Sequence, residues 1–540
     1  MLTHPPVLHS EDRCWGQCRK PLGGSLGKLK MKKWVVIVLT AATCIAAIYG
    51  IMLGIFYLKI IEKSERELWR ITDYSVFQPV VVNDLFIFSG HKADRSINCD
   101  CVYAANKSTG EIVWSTEEVE KPYMKLGATS SNSFSVNSYI EMVSPKKDTI
   151  YISLFYYGSG DNLKFALVAV RSNDGELLWK VDGEANSDSL ANSVLEKNQI
   201  FVFDEQGDLL AINSDTGKEI WRNEIYDHYD NADIWFSYYK DTVFTFNRQT
   251  DQKIKAFDAE TGQSLWESDQ FRGGRWNIYI FNKTIYLVSP PLDHNKLVTA
   301  IDLENGKKRW DLVFQDVSEF SMAAGDKNGV MFFITKYEGG PNNFHELAKL
   351  VVVDEFTGQL LWKFNENFSH GDFGYLINGN TMYIGTEDGF VFSLDSATGN
   401  IIWQTETGHF PIHFLVKGNA LIVVYEEQYL SLLDLATGLQ KWRLDLEIDK
   451  SWSILGEDIL GINSDTIFVV GNKDQKIYAI DINTGNQLWS WRHFLPVRSY
   501  YEIGLLDKDI LYVDQWPRWN FFISDDLVGN DWYFALKAEP

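Results

Sequence analysis

The chain has 540 residues, 45% of them hydrophobic, and a formal net charge of −23 at pH 7. That length supplies a sizeable core, and so acidic a body excludes non-specific binding to nucleic acid or to an anionic lipid surface, while leaving basic partners and divalent cations open. Five cysteines do not make a disulfide framework, so the fold rests on burial.

In chain order, residues 1–30 show no periodicity, and Met31-Lys32-Lys33 reads as an alternative start ahead of an apolar core. Residues 34–58 contain no charged residue, and this run of 25 is long enough to cross a bilayer. Lys28, Lys30, Lys32 and Lys33 precede it, whereas Lys59, Lys63 and Arg66 after it are mixed with Glu62, Glu65 and Glu67. The positive-inside rule puts the N-terminus in the cytoplasm and the rest outside. Thr43 is a poor residue ahead of Cys44 for lipoprotein cleavage, and the apolar run continues past Cys44, so the expectation is an uncleaved signal anchor. Residues 1–33 then form a short cytoplasmic tail, 34–58 the transmembrane segment, 59–64 a linker and 65–540 the folded body. Residues 1–63 carry nine Lys/Arg against three Asp/Glu, which leaves −29 for residues 64–540.

From residue 104 one phrase recurs nine times: an apolar strand, a short polar residue, a Gly four positions later and a Trp four after that. The Gly/Trp pairs are Gly110/Trp114, Gly175/Trp179, Gly217/Trp221, Gly262/Trp266, Gly306/Trp310, Gly358/Trp362, Gly399/Trp403, Gly438/Trp442 and Gly485/Trp489. Asn106, Asn213, Asp258, Asp302, Asp354, Asp395, Asp434 and Asp481 hold the polar position, with Arg171 the exception. Their side chains can cap backbone amides and start a turn, which Gly closes at positive φ. Ala stands six before the Gly in six copies, at Ala104, Ala169, Ala211, Ala256, Ala300 and Ala479. Opposite a Trp, it suggests a layer in which a large side chain enters a neighbour's gap. A second apolar run precedes each phrase, so each unit is about four short strands without a helix. Successive Trp are 65, 42, 45, 44, 52, 41, 39 and 47 residues apart. Spacings of about 40–45 with four strands fit propeller blades, and the 65 and 52 are blades with insertions, Thr116–Asn137 and Lys336–Glu346.

The two ends supply one more blade. Glu65–Trp69 reads as the last strand of a repeat whose beginning is absent, and Tyr533–Lys537 as the third strand of a repeat whose Gly–Trp half is absent. Joining them closes a ring and removes both sheet edges. The expected fold is all-β, a single propeller of eight to ten blades, ten by repeat count, preceded by one transmembrane helix. Trp69, Trp114, Trp179, Trp221, Trp266, Trp310, Trp362, Trp403, Trp442 and Trp489 are its structural Trp.

Outside the repeat, Asp514–Phe522 breaks the pattern. Trp516, Arg518, Trp519, Phe521 and Phe522 on an irregular loop have the make-up of a partner-binding anchor, or of a loop folded over its own blade. Cys99-Asp100-Cys101 is read as strand-end cysteines, with a labile disulfide or a metal role as the alternatives. Asp227–Asp233 lacks the Gly and terminal Glu of an EF-hand loop. His409 and His413 have a ligand spacing only on a helix, and Pro411 between them argues against one. Gly23-Gly24-Ser25-Leu26-Gly27 has no strand before it, and neither a P-loop nor a His-Glu-x-x-His occurs. Asn-x-Ser/Thr occurs at Asn106, Asn282 and Asn367.

The Ala-x-Asp-x-x-Thr-Gly-x-x-x-Trp phrase over about residues 65–540 resembles the PQQ-like β-propeller repeat family, which includes quinoprotein dehydrogenases and BamB-like propellers. A quinoprotein resemblance implies pyrroloquinoline quinone (PQQ) and Ca²⁺ in a central funnel with an acidic base, and adjacent cysteines in many relatives. No Cys-Cys dipeptide and no Cys-x-x-Cys-His haem site occurs. The BamB resemblance implies envelope protein assembly. The leading expectation is therefore a non-catalytic scaffold on the cell membrane, with its propeller periplasmic or extracellular. It binds a protein or peptide partner of the cell envelope, with no nucleic acid, no cofactor, no metal and no catalytic residues. The alternative is a PQQ- and Ca²⁺-dependent dehydrogenase. A small-ligand sensor is a third reading, although the N-terminal tail holds no recognisable output domain.

Overall fold

A computed structural model of the protein describes residues 64–539 apart from 93–98, 120–135, 145–147, 158–162, 185–193, 204–207, 226–233, 248–251, 272–275, 290–294, 316, 318, 325–328, 339–344, 369–373, 387, 426–428, 446–459, 464, 472–475, 494–498 and 518–531. Antiparallel sheets of four strands succeed one another along the chain, for example Gln199–Phe203, Leu209–Asn213 and Glu219–Asn223 behind Val194–Glu196. Nine such blades run from Phe77 to Trp491. The tenth joins Ser499–Asp507, Ile510–Pro517 and Trp532–Lys537 to the N-terminal strand Glu67–Ile71. Trp69 lies opposite Ala535, so the two terminal segments form one blade, and the fold is a ten-bladed β-propeller. Among the described residues no helix is long and apolar enough to cross a membrane, and residues 34–58 lie outside them.

Six of the ten blades carry the same transverse row of an aromatic, an Ala and a Trp. Tyr151 on the second strand faces Ala169 on the third, which faces Trp179 on the fourth. Phe201–Ala211–Trp221, Phe244–Ala256–Trp266, Tyr286–Ala300–Trp310, Phe468–Ala479–Trp489 and Tyr512–Ala535–Trp69 repeat it. Strands two apart in a sheet are separated by about 9.5 Å, yet the outer rings of these rows approach to 5.8–6.0 Å between centroids. They lean together over the Ala, whose methyl leaves the space. The Trp also reaches the next blade, where its ring lies against the turn glycine. A Cβ at Gly110, Gly175, Gly217, Gly262, Gly358 or Gly485 would stand 2.7–2.8 Å from the ring of Trp69, Trp114, Trp179, Trp221, Trp310 or Trp442 respectively. The neighbour's gap is thus made by a Gly, and the Ala clears room within the Trp's own sheet.

The turn that presents this glycine is held by its polar residue. Asp481 Oδ1 accepts hydrogen bonds from the amides of Asn483 and Thr484 and from Thr484 Oγ1. Asp258 and Asp395 repeat the arrangement with Thr261 and Thr398. Hydroxyl donors first, and backbone amides with them, hold all three carboxyls below the usual carboxylate range. A lowered carboxyl contributes its stability fully above the unfolded value of about 4 and loses it as pH falls through the folded value. Replacing Asp258, Asp395 and Asp481 by Asn should keep the turns, as Asn106 and Asn213 already do in two blades. The thermal midpoint of that variant should fall less between about pH 5 and pH 3 than that of the parent. An equal fall in both would remove the turns from the acid response.

The outer edge has a feature without a sequence signal. The fourth strand bulges immediately before its Trp, between the partners of Ala169 and Val170, of Ala211 and Ile212, and at the equivalent places elsewhere. The unpaired residue is turned outward, which exposes Leu178, Ile220, Leu265, Leu361, Ile402 and Leu488. A bulge interrupts the row of free amides and carbonyls that an edge strand offers to other chains.

Candidate interaction face

Strand polarity sorts every connection onto one of two faces. The hairpin between first and second strands and the turn between third and fourth share one face; the other two connections share the opposite one. On the first face the connections are short and bonded to each other. The amide of Ser214 donates to the carbonyl of Asn198, Ala259 to Asp241, Ser396 to Asn380 and Leu435 to Asn419, at 2.9–3.0 Å. This turn face repeats from blade to blade. The opposite face carries connections of unequal length, and all the irregular segments of the sequence start and end there. Loops on a rigid scaffold are where specificity is commonly built.

Asp514–Pro517, expected in an irregular loop, continues the strand Ile510–Pro517. Trp516 stands opposite Tyr500 on the long first strand of blade 10, and Gln515 is buried. The partner strand extends to Ser499, so pairing persists past the point at which the repeat pattern stops. Arg518, Trp519, Phe521 and Phe522 lie outside the described residues, as does the Asp227–Asp233 cluster. The described residues of the insertion at Lys336–Glu346 lengthen a strand pair, with Lys336 opposite Leu347 and Glu338 opposite His345. Blades 1 and 2 are joined on this face by a short parallel pairing of Cys99 and Asp100 with Val136 and Asn137. Cys101, two residues on, is buried and disulfide-bonded.

One part of this face lies where blade 7 meets blade 8. A Cβ at Gly385 would stand 2.5 Å from the carbonyl oxygen of Pro411, and one at Gly389 2.8 Å from the amide of His409, so the connection packs directly on blade 7. His409 lies in a bend and His413 in the strand Pro411–Lys417, with a register shift between Pro411 and His413, so the two are not helical neighbours. The His409 ring instead lies 4.1 Å from that of Tyr429, and the Arg443 guanidinium stands 3.9 Å from the same ring. Arg443 donates to the carbonyl of Thr407, whose hydroxyl donates to the carbonyl of Gly389. Tyr425 shares a 2.6 Å hydrogen bond with Ser431, and burial raises its phenol. This is an aromatic and cationic patch of the kind found in contact surfaces. Among the described residues no group of three or more His, Cys, Asp and Glu is placed to hold a metal ion. The sequence did not single out Tyr429 or Arg443, because nothing in the repeat distinguishes them.

Similarity to known proteins lies along the repeats. A family profile described as outer membrane protein assembly factor BamB matches residues 58–312 and 348–492. The outer membrane protein assembly factor BamB of Shewanella oneidensis is 22% identical over 251 residues, which cover 44% of this chain and 58% of that protein. A tetrathionate hydrolase of Acidithiobacillus ferrooxidans is 21% identical over 281 residues, covering 38% of this chain and 53% of the hydrolase. The chain thus spans about half the length of the curated relatives it matches. The crystal structure of BamB from Moraxella catarrhalis overlaps 64% of this chain and 96% of that one, at 13% identity and a TM-score of 0.34.

Proposed function

The chain belongs to the PQQ-like propeller family whose profile is described as outer membrane protein assembly factor BamB, and from that premise we propose that it is a non-catalytic protein-binding scaffold of the cell envelope. The observation that carries this reading is the division of the ring into two unlike faces. One repeats the same locked turn; the other gathers the irregular connections, with the Tyr429–Arg443–His409 patch among them. The partner is a protein or peptide that docks on the connection face. Residues 34–58 anchor the chain in the membrane with residues 1–33 in the cytoplasm, residues 59–64 link it, and the propeller works outside. Support comes from the charge-free run of 25 residues and its lysine flank. Trp516, with Arg518, Trp519, Phe521 and Phe522 after it in sequence, is proposed as a further partner-binding anchor.

The test is site-specific photocrosslinking of full-length protein in its own membranes. Probes at Gln270 and Glu406, exposed on the connection face, are expected to capture one envelope protein reproducibly. Probes at Ala436 and Leu439, exposed on the turn face, are expected not to. Capture confined to the turn face would overturn the assignment. Similarity to a tetrathionate hydrolase keeps an enzymatic reading in play. Turnover of an alcohol with a dye acceptor after PQQ and Ca²⁺ are supplied would replace the scaffold reading.

A further inference from the structure

Eight of the nine repeat-type blade junctions use a second device besides the glycine: the Trp Nε1–H donates to the backbone carbonyl of the residue just after the turn's polar residue, as in Trp69 to Lys107 at 2.7 Å, Trp310 to Glu355 at 2.9 Å and Trp442 to Ile482 at 2.9 Å. The junction of blade 9 with blade 10 has no such turn. Its two flanking strands, Trp532–Lys537 and Glu67–Ile71, come from opposite ends of the propeller. Trp489, which occupies the Trp position there, is 6% exposed, and its Nε1–H has no hydrogen-bond partner among the described residues. In place of a glycine turn, the Arg66 guanidinium stands 4.3 Å above the Trp489 ring. Arg66 Nη1 donates to the carbonyl of Glu539 at 2.7 Å, and the amide of Lys537 donates to the carbonyl of Arg66 at 2.8 Å. Ser64 Oγ accepts from Trp491 Nε1 at 2.7 Å.

We infer that Arg66 is the clasp of the ring. Its guanidinium replaces the missing turn on Trp489 and ties both ends of the propeller together, so that the blade 9–blade 10 junction is where the ring opens. The physical reason is connectivity. At every other junction the docking turn is continuous chain, so a transient loss of contact leaves it in place. At the seam the two strands are joined by no turn and Arg66 and Glu539 lie 473 positions apart in the chain, so release of Arg66 lets the two segments separate and each gains conformational freedom. A guanidinium suits the position because it offers a flat face to the indole and in-plane donors to a carbonyl. Lysine offers only a point charge.

The test is amide hydrogen exchange on the full-length chain in detergent micelles, read peptide by peptide. In the parent, Glu67–Ile71 and Trp532–Lys537 should exchange faster than the matching strands of blades 4 and 5. Arg66→Ala should speed exchange of those two strands by about tenfold or more and leave blades 3 to 7 unchanged; Arg66→Lys should give a smaller effect in the same place. Trp489→Phe, which keeps a ring for Arg66 and deletes an unpartnered Nε1–H, should leave the seam unchanged. Trp442→Phe, which deletes a donor bonded to Ile482, should speed exchange at its own turn. Uniform acceleration by Arg66→Ala, no acceleration, or an equal response of the two Trp→Phe variants would each overturn the clasp.

Discussion

Replacing Trp310 by alanine is expected to lower the stability of the propeller by about 3–5 kcal/mol, the range for deleting a buried aromatic from a close-packed core. Three contacts go together. The ring fills the space above Ala300 and meets Tyr286 at 6.0 Å. Its ring lies against Gly358 of the next blade, and its Nε1–H donates to the carbonyl of Glu355. That last loss is amplified by position. Glu355 is buried, with its carboxylate accepting from Thr284 Oγ1 at 2.7 Å and from the amide of Lys283 at 3.1 Å, beside the Arg309 guanidinium. Shifting the turn would disturb a buried charge whose partners sit in blade 5. Trp266 provides the comparison. It holds the same repeat position, but it is only partly buried and no indole hydrogen bond is formed there among the described residues. Trp266→Ala should therefore cost distinctly less. Urea denaturation of both variants, monitored by Trp fluorescence and by circular dichroism, separates them; equal losses would mean that burial and the carbonyl bond contribute little beyond the common contact with the turn.

The propeller was legible in the sequence because its determinants are local and repeated. A capped turn, a positive-φ glycine and a Trp at fixed distance are each short-range requirements, and nine copies set their register without ambiguity. Even the split tenth blade could be read, since Trp69 and Ala535 are the two halves of one row. What the sequence did not disclose depends on neighbours far away in the chain. The partner of every repeat Trp except Trp489 turned out to be the glycine of the next blade, on average about forty residues on, whereas the Ala works within its own sheet. The outward bulge before each Trp is visible only as a break in pairing. On the connection face the limit is of another kind. Asp514–Pro517 has no repeat residues yet stays in a strand because Ser499–Glu502 is there to pair with it. Tyr429 and Arg443 are unremarkable in sequence, and His409 joins Arg443 against the Tyr429 ring where Gly385 and Gly389 let the connection pack closely on blade 7. Residues that differ from blade to blade carry no periodic signal, and those are the residues a partner would read.

The turn glycines allow the two reasons for their presence to be separated. Gly358 has φ +66°, and a Cβ there would stand 2.7 Å from the Trp310 ring; Gly379 has φ +59° with nothing within 4 Å of the same position. Alanine at Gly379 should cost only the left-handed backbone conformation, about 1–2 kcal/mol. At Gly358 the same substitution must also displace an indole packed on both sides, a further cost of about 1–3 kcal/mol for overpacking, so a total of about 3 kcal/mol is expected. The decisive measurement is the double variant. If the clash with Trp310 is real, Gly358→Ala introduced into Trp310→Ala should cost no more than Gly379→Ala does in the parent, because the space once filled by the ring is vacant. A coupling of about 1–3 kcal/mol between the two positions is the size expected for residues in direct contact. If the costs were simply additive, the glycine would be there for its φ alone, and the Trp–Gly docking would not be what holds one blade to the next.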